Sequence, residues 1–323
     1  MKDKYGREIN YIRISITEKC NYRCFYCMPQ DDDIDVTIAE KEWISSQEII
    51  KLVEMGVQLG IKKVRITGGE PLVRSDIGDI LKGISSIEGV EELCITTNGS
   101  LLYEKLDILK KYGVTRINIS LDTLSSKKFK KITKVGDLER VWLGIKKTLE
   151  SGIEVRINTV IIKGINDDEV EELANLTKKY KLDLRFIELM PIGEGRNYSG
   201  LSGVEIREIL KHGGLELYNL NKQEGASEYY TLKDGKGNIG FINPLSNCFC
   251  SECNRIRVTS TGDLKQCLNK KSNLNIVEFM RSGIAEEELL EIISNEIYNK
   301  PKKHLFNSIN EKEEKLNMNK IGG

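Results

Sequence analysis

Histidine is scarce in this sequence: His212 and His304 are the two that occur in 323 residues. Neither stands beside a carboxylate or cysteine motif along the chain, so both read as structural, and a histidine-rich zinc hydrolase is excluded. Net charge is missing too. Lys plus Arg and Asp plus Glu each number 49, leaving a formal charge of zero. That balance argues against a nucleic-acid or membrane-surface partner held by bulk charge. An anionic ligand would need a local cluster of basic residues instead. No stretch reaches the roughly 18 apolar residues of a membrane span, and the N-terminal MKDKYGREIN lacks the apolar core of a signal peptide. The expectation is a cytoplasmic protein of about two domains, with no membrane partner.

Cysteine is what the chain does have. There are eight, and in a reducing compartment they are not expected to form disulfides. Six fall into two tight groupings, the pattern of metal ligands. Cys94, at the start of a strand, reads as a buried packing residue.

Residues 11 to about 190 alternate short β-type runs with helical segments. The strand candidates are YIRISIT, KVRITG, ELCITTN, RINISLD, EVRINTVII and LRFIEL. Between them, Ser45 and Glu48 have capping-box spacing, and Asn166 is expected to cap a helix with Val170, Leu173, Ala174 and Leu176 on its apolar face. Repeated strand–helix units imply parallel strands with right-handed crossovers. Six units are too few for an eight-stranded barrel. The predicted fold is therefore α/β, an incomplete (β/α)6 TIM-type barrel over residues 1–195. Residues 196–323, with SEYYTL, NIGFIN and RIRVTS and a helical tail around 284 to 299, are expected to form a smaller C-terminal α+β domain. The terminal NKIGG reads as flexible.

The strands are not apolar on both faces, as ordinary parallel strands are. A period of two sets Arg13, Ser15 and Thr17 against Ile12, Ile14 and Ile16. It likewise separates Lys63, Arg65 and Thr67 from Val64 and Ile66. Arg116, Asn118, Ser120 and Asp122 oppose Ile117, Ile119 and Leu121, and Arg156 and Asn158 oppose Val155 and Ile157. Burying so many unpaired polar groups would be costly. Either a wet lumen holds an anionic ligand, or the polar groups pair with one another across it.

The first cysteine grouping, Cys20, Cys24 and Cys27, directly follows the first strand. Three thiolates cannot complete the four-thiolate shell of a [4Fe–4S] cluster, so one iron would stay open to a small molecule; a three-ligand zinc site is the alternative. The second grouping is Cys250, Cys253 and Cys267, again three. Cys248 could add a fourth ligand for a structural zinc ribbon. Arg255 and Arg257, two apart on a strand, share a face and favour a phosphate-binding site.

The C-x3-C-x2-C spacing, with the aromatic Tyr26 before the last cysteine, and Gly68-Gly69-Glu70-Pro71 after the second strand resemble the radical S-adenosylmethionine superfamily. With the second C-x2-C-N-R-I-R, Cys267 and the Gly322-Gly323 end, nearly the whole chain resembles the GTP 3′,8-cyclase family of molybdenum-cofactor biosynthesis. That resemblance implies two [4Fe–4S] clusters, the first on Cys20, Cys24 and Cys27 and the second on Cys250, Cys253 and Cys267. It implies S-adenosylmethionine held by Tyr26, Gly69, Glu70, Ser120 and Met190. It implies GTP contacts from Arg13, Lys63, Arg65, Thr96, Arg156, Arg185, Arg255, Ile256 and Arg257, with Gly322 and Gly323 reaching into the lumen. In this reading no side chain acts as acid or base. A 5′-deoxyadenosyl radical takes the ribose C3′ hydrogen of GTP, and closure onto guanine C8 gives 3′,8-cyclo-7,8-dihydroguanosine triphosphate. The implied partners are an electron donor such as flavodoxin or ferredoxin and a downstream cyclic pyranopterin monophosphate synthase; the chain would be a monomer or homodimer. Two residues depart from the family pattern: Arg156 stands where Lys is common, and Cys248 where a non-cysteine is usual. The acidic run Asp31–Asp33 reads as solvated surface. A peptide-modifying radical enzyme and a two-zinc scaffold are the competing readings.

Overall fold

The computed structural model describes residues 1–29, 43–304, 306 and 316–322; Asp31–Asp33 and Gly323 lie outside them. All six expected strands form: β1 (Tyr11–Ser15), β2 (Lys63–Thr67), β3 (Glu92–Thr97), β4 (Arg116–Ser120), β5 (Glu154–Val160) and β6 (Asp183–Ile187). They pair in sequence order, every pair parallel. The helices between them include α1 (Ser46–Gln58), α2 (Ile77–Ser85), α3 (Leu102–Lys111), α4 (Ser126–Thr133) and α5 (Leu138–Ser151). Helix α1 opens on the expected box: the Ser45 hydroxyl accepts from the Glu48 amide, and Glu48 accepts from the Ser45 amide at 2.7 Å.

The cap expected at Asn166 is absent. Its buried amide donates to the carbonyls of Asp122 (2.6 Å) and Val160 (2.9 Å) and accepts from the Ile162 amide at 2.8 Å. Satisfying backbone groups at the ends of two strands outweighs one cap bond. The segment is consequently broken, with a 3-10 turn at Asp167–Glu169 leading into α6 (Val170–Ala174) and α7 (Leu176–Lys179).

The later strands do not form a sheet of their own. After α8 (Gly203–His212) come β7 (Leu217–Glu224), β8 (Ser227–Leu232), β9 (Ile239–Ile242), β10 (Arg255–Val258) and β11 (Leu264–Lys265). Strand β9 adds to β6 and β10 adds to β1, both parallel. Among the described residues one sheet of eleven strands results, in the order β11-β10-β1-β2-β3-β4-β5-β6-β9-β8-β7. Antiparallel pairs close both edges. The chain ends with α9 (Ile276–Ser282), α10 (Glu286–Tyr298) and α11 (Met318–Ile321).

The two faces divide as the alternation requires. Ile12, Ile14, Val64, Ile66, Ile117, Ile119, Val155 and Ile157 are each no more than 1 % exposed and join the helices in one core. Each such side chain contributes about 1.5–3 kcal/mol on burial, so this face carries the fold. The other face is left to polar groups, and the register aligns them: Arg13 lies beside both Arg65 and Arg257, and Asn158 beside Arg185.

Candidate active site in the lumen of the sheet

A cavity of about 330 Å³ opens on the polar face. Its wall includes Cys20, Cys24 and Cys27 together with Cys250, Cys253 and Cys267, so residues separated by more than 220 positions meet in one space. Arg13, Arg185, Arg255 and Arg257 line it as well. Tyr26, Gly69, Thr96, Ser120 and Met190 share the wall.

The first cysteine loop is held from several sides. The amides of Arg23 and Phe25 donate to the carbonyls of Thr133 and Ile132 at the end of α4. The Tyr22 amide points to the Cys20 sulfur (3.4 Å), as does the Asn98 side-chain amide (3.8 Å). The Asn319 backbone amide of α11 serves the Cys27 sulfur. Burial drives these thiols upward, Cys20 to about 11 and Cys27 to about 12, with Cys24 also raised. Three neighbouring half-buried sulfurs are poor thiolates on their own, and a bound cationic core is what would favour their ionised form. The donor set fits a [4Fe–4S] cluster, with no fourth protein thiolate among them.

Gly69 shows why glycine is required beside this loop. A Cβ there would lie 2.5 Å from the carbonyl oxygens of both Glu18 and Lys19. Glu70, in contrast, stands behind the cavity wall. Its fully buried carboxylate accepts from the Thr97 hydroxyl (2.8 Å), the Asn98 amide (2.6 Å) and the Leu72 amide (3.0 Å). Burial raises it to about 7 against those donors. Tyr26 is oriented by donating to Asp122 at 2.5 Å.

The basic residues separate into two sets. Arg13, Arg185, Arg255 and Arg257 pair with no carboxylate among the described residues. Burial and mutual repulsion lower Arg13 and Arg257, and take Arg185 down to about 10. Such a wall is complementary to a polyanion. Lys63, Arg65 and Arg156 do not line the cavity. Lys63 pairs with Glu92 at 2.6 Å. Arg156 makes a bidentate pair with Glu224 and also meets Glu154 and Asp183. Arg65 donates to the Tyr11 hydroxyl at 2.5 Å. The polar face therefore divides, with internal pairing around Arg156 and a cavity wall of arginines without carboxylate partners among the described residues around Arg13. Ile256 packs its side chain into the apolar core, where only its backbone is available to the lumen.

The described tail places Gly322 against the strands of the lumen. The Gly322 carbonyl accepts from Arg257 at 2.7 Å, and its φ of +71° is a left-handed conformation natural to glycine. A Cβ at this position would lie 2.8 Å from that of Ser15. Asn319 and Asn118 each leave a buried carbonyl oxygen without a partner, and both residues line the cavity. Unsatisfied buried acceptors at a cavity wall call for a donor from a ligand.

Several contributors escaped the sequence reading. Tyr11 lies under Arg13, Lys63 and Arg65; burial would raise its phenol, but Arg13 and Arg65 take it down to about 7. Its place on the Arg13 face of β1 was a usable signal. Arg7, paired with Asp3, donates to the carbonyls of Cys250 and Pro301 at 2.7 Å each. Lys300, 3 % exposed, donates to the carbonyls of Arg255 (2.9 Å) and Gln266. It thus ties together the segments that carry Cys253 and Cys267. Burial would raise Cys253, yet the charges of Arg255 and Lys300 bring it down to about 6. His304, remote from any cysteine in sequence, directs its backbone amide at the Cys250 sulfur.

Comparison with known proteins agrees with this geometry. Residues 14–177 match the radical SAM superfamily, and residues 182–306 match the molybdenum cofactor synthesis C-terminal family. GTP 3′,8-cyclase of Clostridium perfringens strain SM101 is 49 % identical over 325 residues, covering 100 % of both chains. The enzymes of that name from Clostridium botulinum strain Okra and Alkaliphilus oremlandii are 44 % and 42 % identical, again over 100 % of both chains. The chain belongs to the GTP 3′,8-cyclase family. Its fold extends to more distant proteins. SuiB of Streptococcus suis, in a structure bound to precursor peptide SuiA, superposes with a TM-score of 0.61 at 16 % identity, over 94 % of this chain and 75 % of that one. Its S-adenosylmethionine-bound structure gives 0.59 at 17 % identity, over 91 % and 64 %. At such identity the likeness is one of fold alone. Among the described residues no helix is long and apolar enough to cross a membrane.

Proposed function

We propose that this chain is a GTP 3′,8-cyclase, converting GTP with S-adenosylmethionine to 3′,8-cyclo-7,8-dihydroguanosine 5′-triphosphate in the first step of molybdenum-cofactor biosynthesis. The observation that carries this reading is one cavity lined by both cysteine triads and by four arginines without carboxylate partners among the described residues. Residues 1–195 would supply the first cluster's ligands and the S-adenosylmethionine contacts, and residues 196–323 the second cluster's. Cys20, Cys24 and Cys27 would hold a [4Fe–4S] cluster, which would supply the electron for reductive cleavage of a carbon–sulfur bond of S-adenosylmethionine. The protein's part is to seat the reactants. Gly69 gives the backbone its close approach to the first cysteine loop, and Tyr26, Ser120 and Met190 line the wall beside it. Arg13, Arg185, Arg255 and Arg257 face the triphosphate, which brings about four negative charges; each charge-assisted hydrogen bond contributes roughly 1.5–3 kcal/mol. Lys63, Arg65 and Arg156 act behind that wall, through Tyr11 and the acidic residues that hold them. The tail residue Gly322 positions Arg257, and Gly323 follows it.

An electron donor such as flavodoxin or ferredoxin, a downstream cyclic pyranopterin monophosphate synthase and a cytoplasmic location complete the reading. Anaerobic incubation with GTP, S-adenosylmethionine and a reductant tests it: 5′-deoxyadenosine and the cyclised nucleotide should accumulate together. 5′-Deoxyadenosine with unchanged GTP would defeat the substrate assignment and leave the radical assignment standing. Cys267→Ala should spare the first cluster and abolish GTP conversion; normal conversion would refute the second site.

A further inference from the structure

Cys248, Cys250 and His304 bring one ligand atom each to within 4.8 Å of one another. Among the described residues no other trio of histidine, cysteine or acidic side chains converges so closely. Neither cluster triad does, as expected if each of its thiolates is to serve a different iron. A tetrahedral ion with metal–sulfur bonds near 2.3 Å and metal–nitrogen bonds near 2.0–2.1 Å sets its ligand atoms about 3.6–3.8 Å apart. Ligand atoms that lie within 4.8 Å of one another would draw together by about 1 Å at most to reach that geometry.

The surroundings are organised for it. The ring Nε2–H of His304 donates to the Pro244 carbonyl at 2.7 Å. That bond assigns the tautomer and leaves Nδ1 as the lone-pair nitrogen, the arrangement of a metal-ligating histidine whose other nitrogen is fixed by a carbonyl. Nδ1 accepts a hydrogen bond from the Phe306 amide at 3.3 Å, which a bound ion would displace. The His304 backbone amide reaches the Cys250 sulfur. Arg7 fixes both segments at once through the carbonyls of Cys250, Pro301 and Lys302. Cys248 is exposed and therefore accessible to an ion from solvent. Two sulfurs and one imidazole nitrogen form a set selective for thiophilic divalent ions.

We propose that Cys248, Cys250 and His304 form a mononuclear site for a thiophilic divalent cation of the zinc class, with its fourth position open to water. Because Cys250 also belongs to the second cluster triad, the ion and the second cluster exclude each other. A chain carrying zinc here keeps its first cluster and lacks the second. The site depends on the cluster assignment only for this competition; the binding of zinc itself does not.

The test uses the full-length chain carrying Cys253→Ser and Cys267→Ser, reconstituted so that the first cluster is present. Zinc titration against a competing chelator should give one bound ion per chain. Adding Cys248→Ser or His304→Ala should weaken zinc binding at least tenfold. No zinc uptake, or uptake that neither substitution weakens, would overturn the proposal. Should the double-serine background fail to fold by circular dichroism, the wild-type chain decides. Zinc present during iron reconstitution should roughly halve the iron incorporated, and Cys248→Ser should relieve that inhibition. Unrelieved inhibition overturns the proposal, as does loss of second-cluster iron from Cys248→Ser without zinc. Wild-type iron content in the absence of zinc reports the cluster reading separately.

Discussion

Replacing Lys300 with methionine should remove the second cluster while leaving the first in place. The ammonium is buried, and its carbonyl partners belong to Arg255 and Gln266. Those residues stand two positions after Cys253 and one before Cys267. Methionine keeps the stem's bulk and deletes the donor. Two charge-assisted hydrogen bonds of roughly 1.5–3 kcal/mol each disappear. Against that, an ammonium no longer has to be desolvated, which relieves several kcal/mol. Two buried carbonyls are left without a partner, at about 1–3 kcal/mol each. The losses exceed the relief, so global stability should fall by roughly 2–5 kcal/mol. The local consequence is confined to the second triad. The cross-link between the two ligand segments is gone, and Cys253, now facing Arg255 alone, moves up from about 6. Iron per chain should fall from about eight to about four, with the electron paramagnetic resonance signal of the first cluster retained. Full iron content with an unchanged melting temperature would refute the reasoning, and so would loss of both clusters.

Gly69→Ala should have the reciprocal effect, displacing the backbone at Glu18 and Lys19 and costing the first cluster's iron while the second cluster's remains. Gly322→Ala should undock the tail, because a left-handed φ and the contact with Ser15 together cost about 1–3 kcal/mol. Hydrogen exchange at residues 318–322 should accelerate and GTP turnover fall about tenfold or more, with iron content unchanged. For Glu224, burial pushes the carboxyl up, but Arg156, Arg116 and Lys63 outweigh it and hold it at about 2. Its folded value lies below the unfolded one, so its stabilisation is complete above about pH 4.5 and is lost as pH falls toward 2. Discounted for the carboxylate's partial exposure, that amounts to about 1–2 kcal/mol. Glu224→Gln should lose this at pH 7 in chemical denaturation, and the difference from wild type should shrink steadily below pH 4.5.

The strand order of the first half was legible because β-branched residues alternate with polar ones at a strict period of two. The same alternation placed Arg13 in the lumen without any structural information. The placement of β9 and β10 was not legible, since short strands carry no mark of which edge they join, and pairing across more than 240 positions is decided by tertiary packing. Asn166 has the residue type and position of a cap, yet its amide is claimed by strand ends that sequence proximity does not reveal. Nor did alternation separate Arg13 from Arg156. Both face the same side, and the acids that neutralise Arg156 come from β5, β6 and β7, Glu224 being 68 residues away. The supporting residues Arg7, Lys300 and His304 act through backbone carbonyls and amides, for which no side-chain motif exists. On the tail, polar composition carries no sign of the contact between the Gly322 carbonyl and Arg257, which is set by tertiary packing.

The central claim is that radical generation at the first cysteine triad acts on the ribose of a nucleotide held by the cationic wall. GTP deuterated at ribose C3′ tests it most directly, in a single anaerobic turnover with S-adenosylmethionine and reductant. Deuterium should appear in 5′-deoxyadenosine, and the nucleotide product should carry the new C3′–C8 bond. Unlabelled 5′-deoxyadenosine, with deuterium still on recovered GTP, would contradict the account.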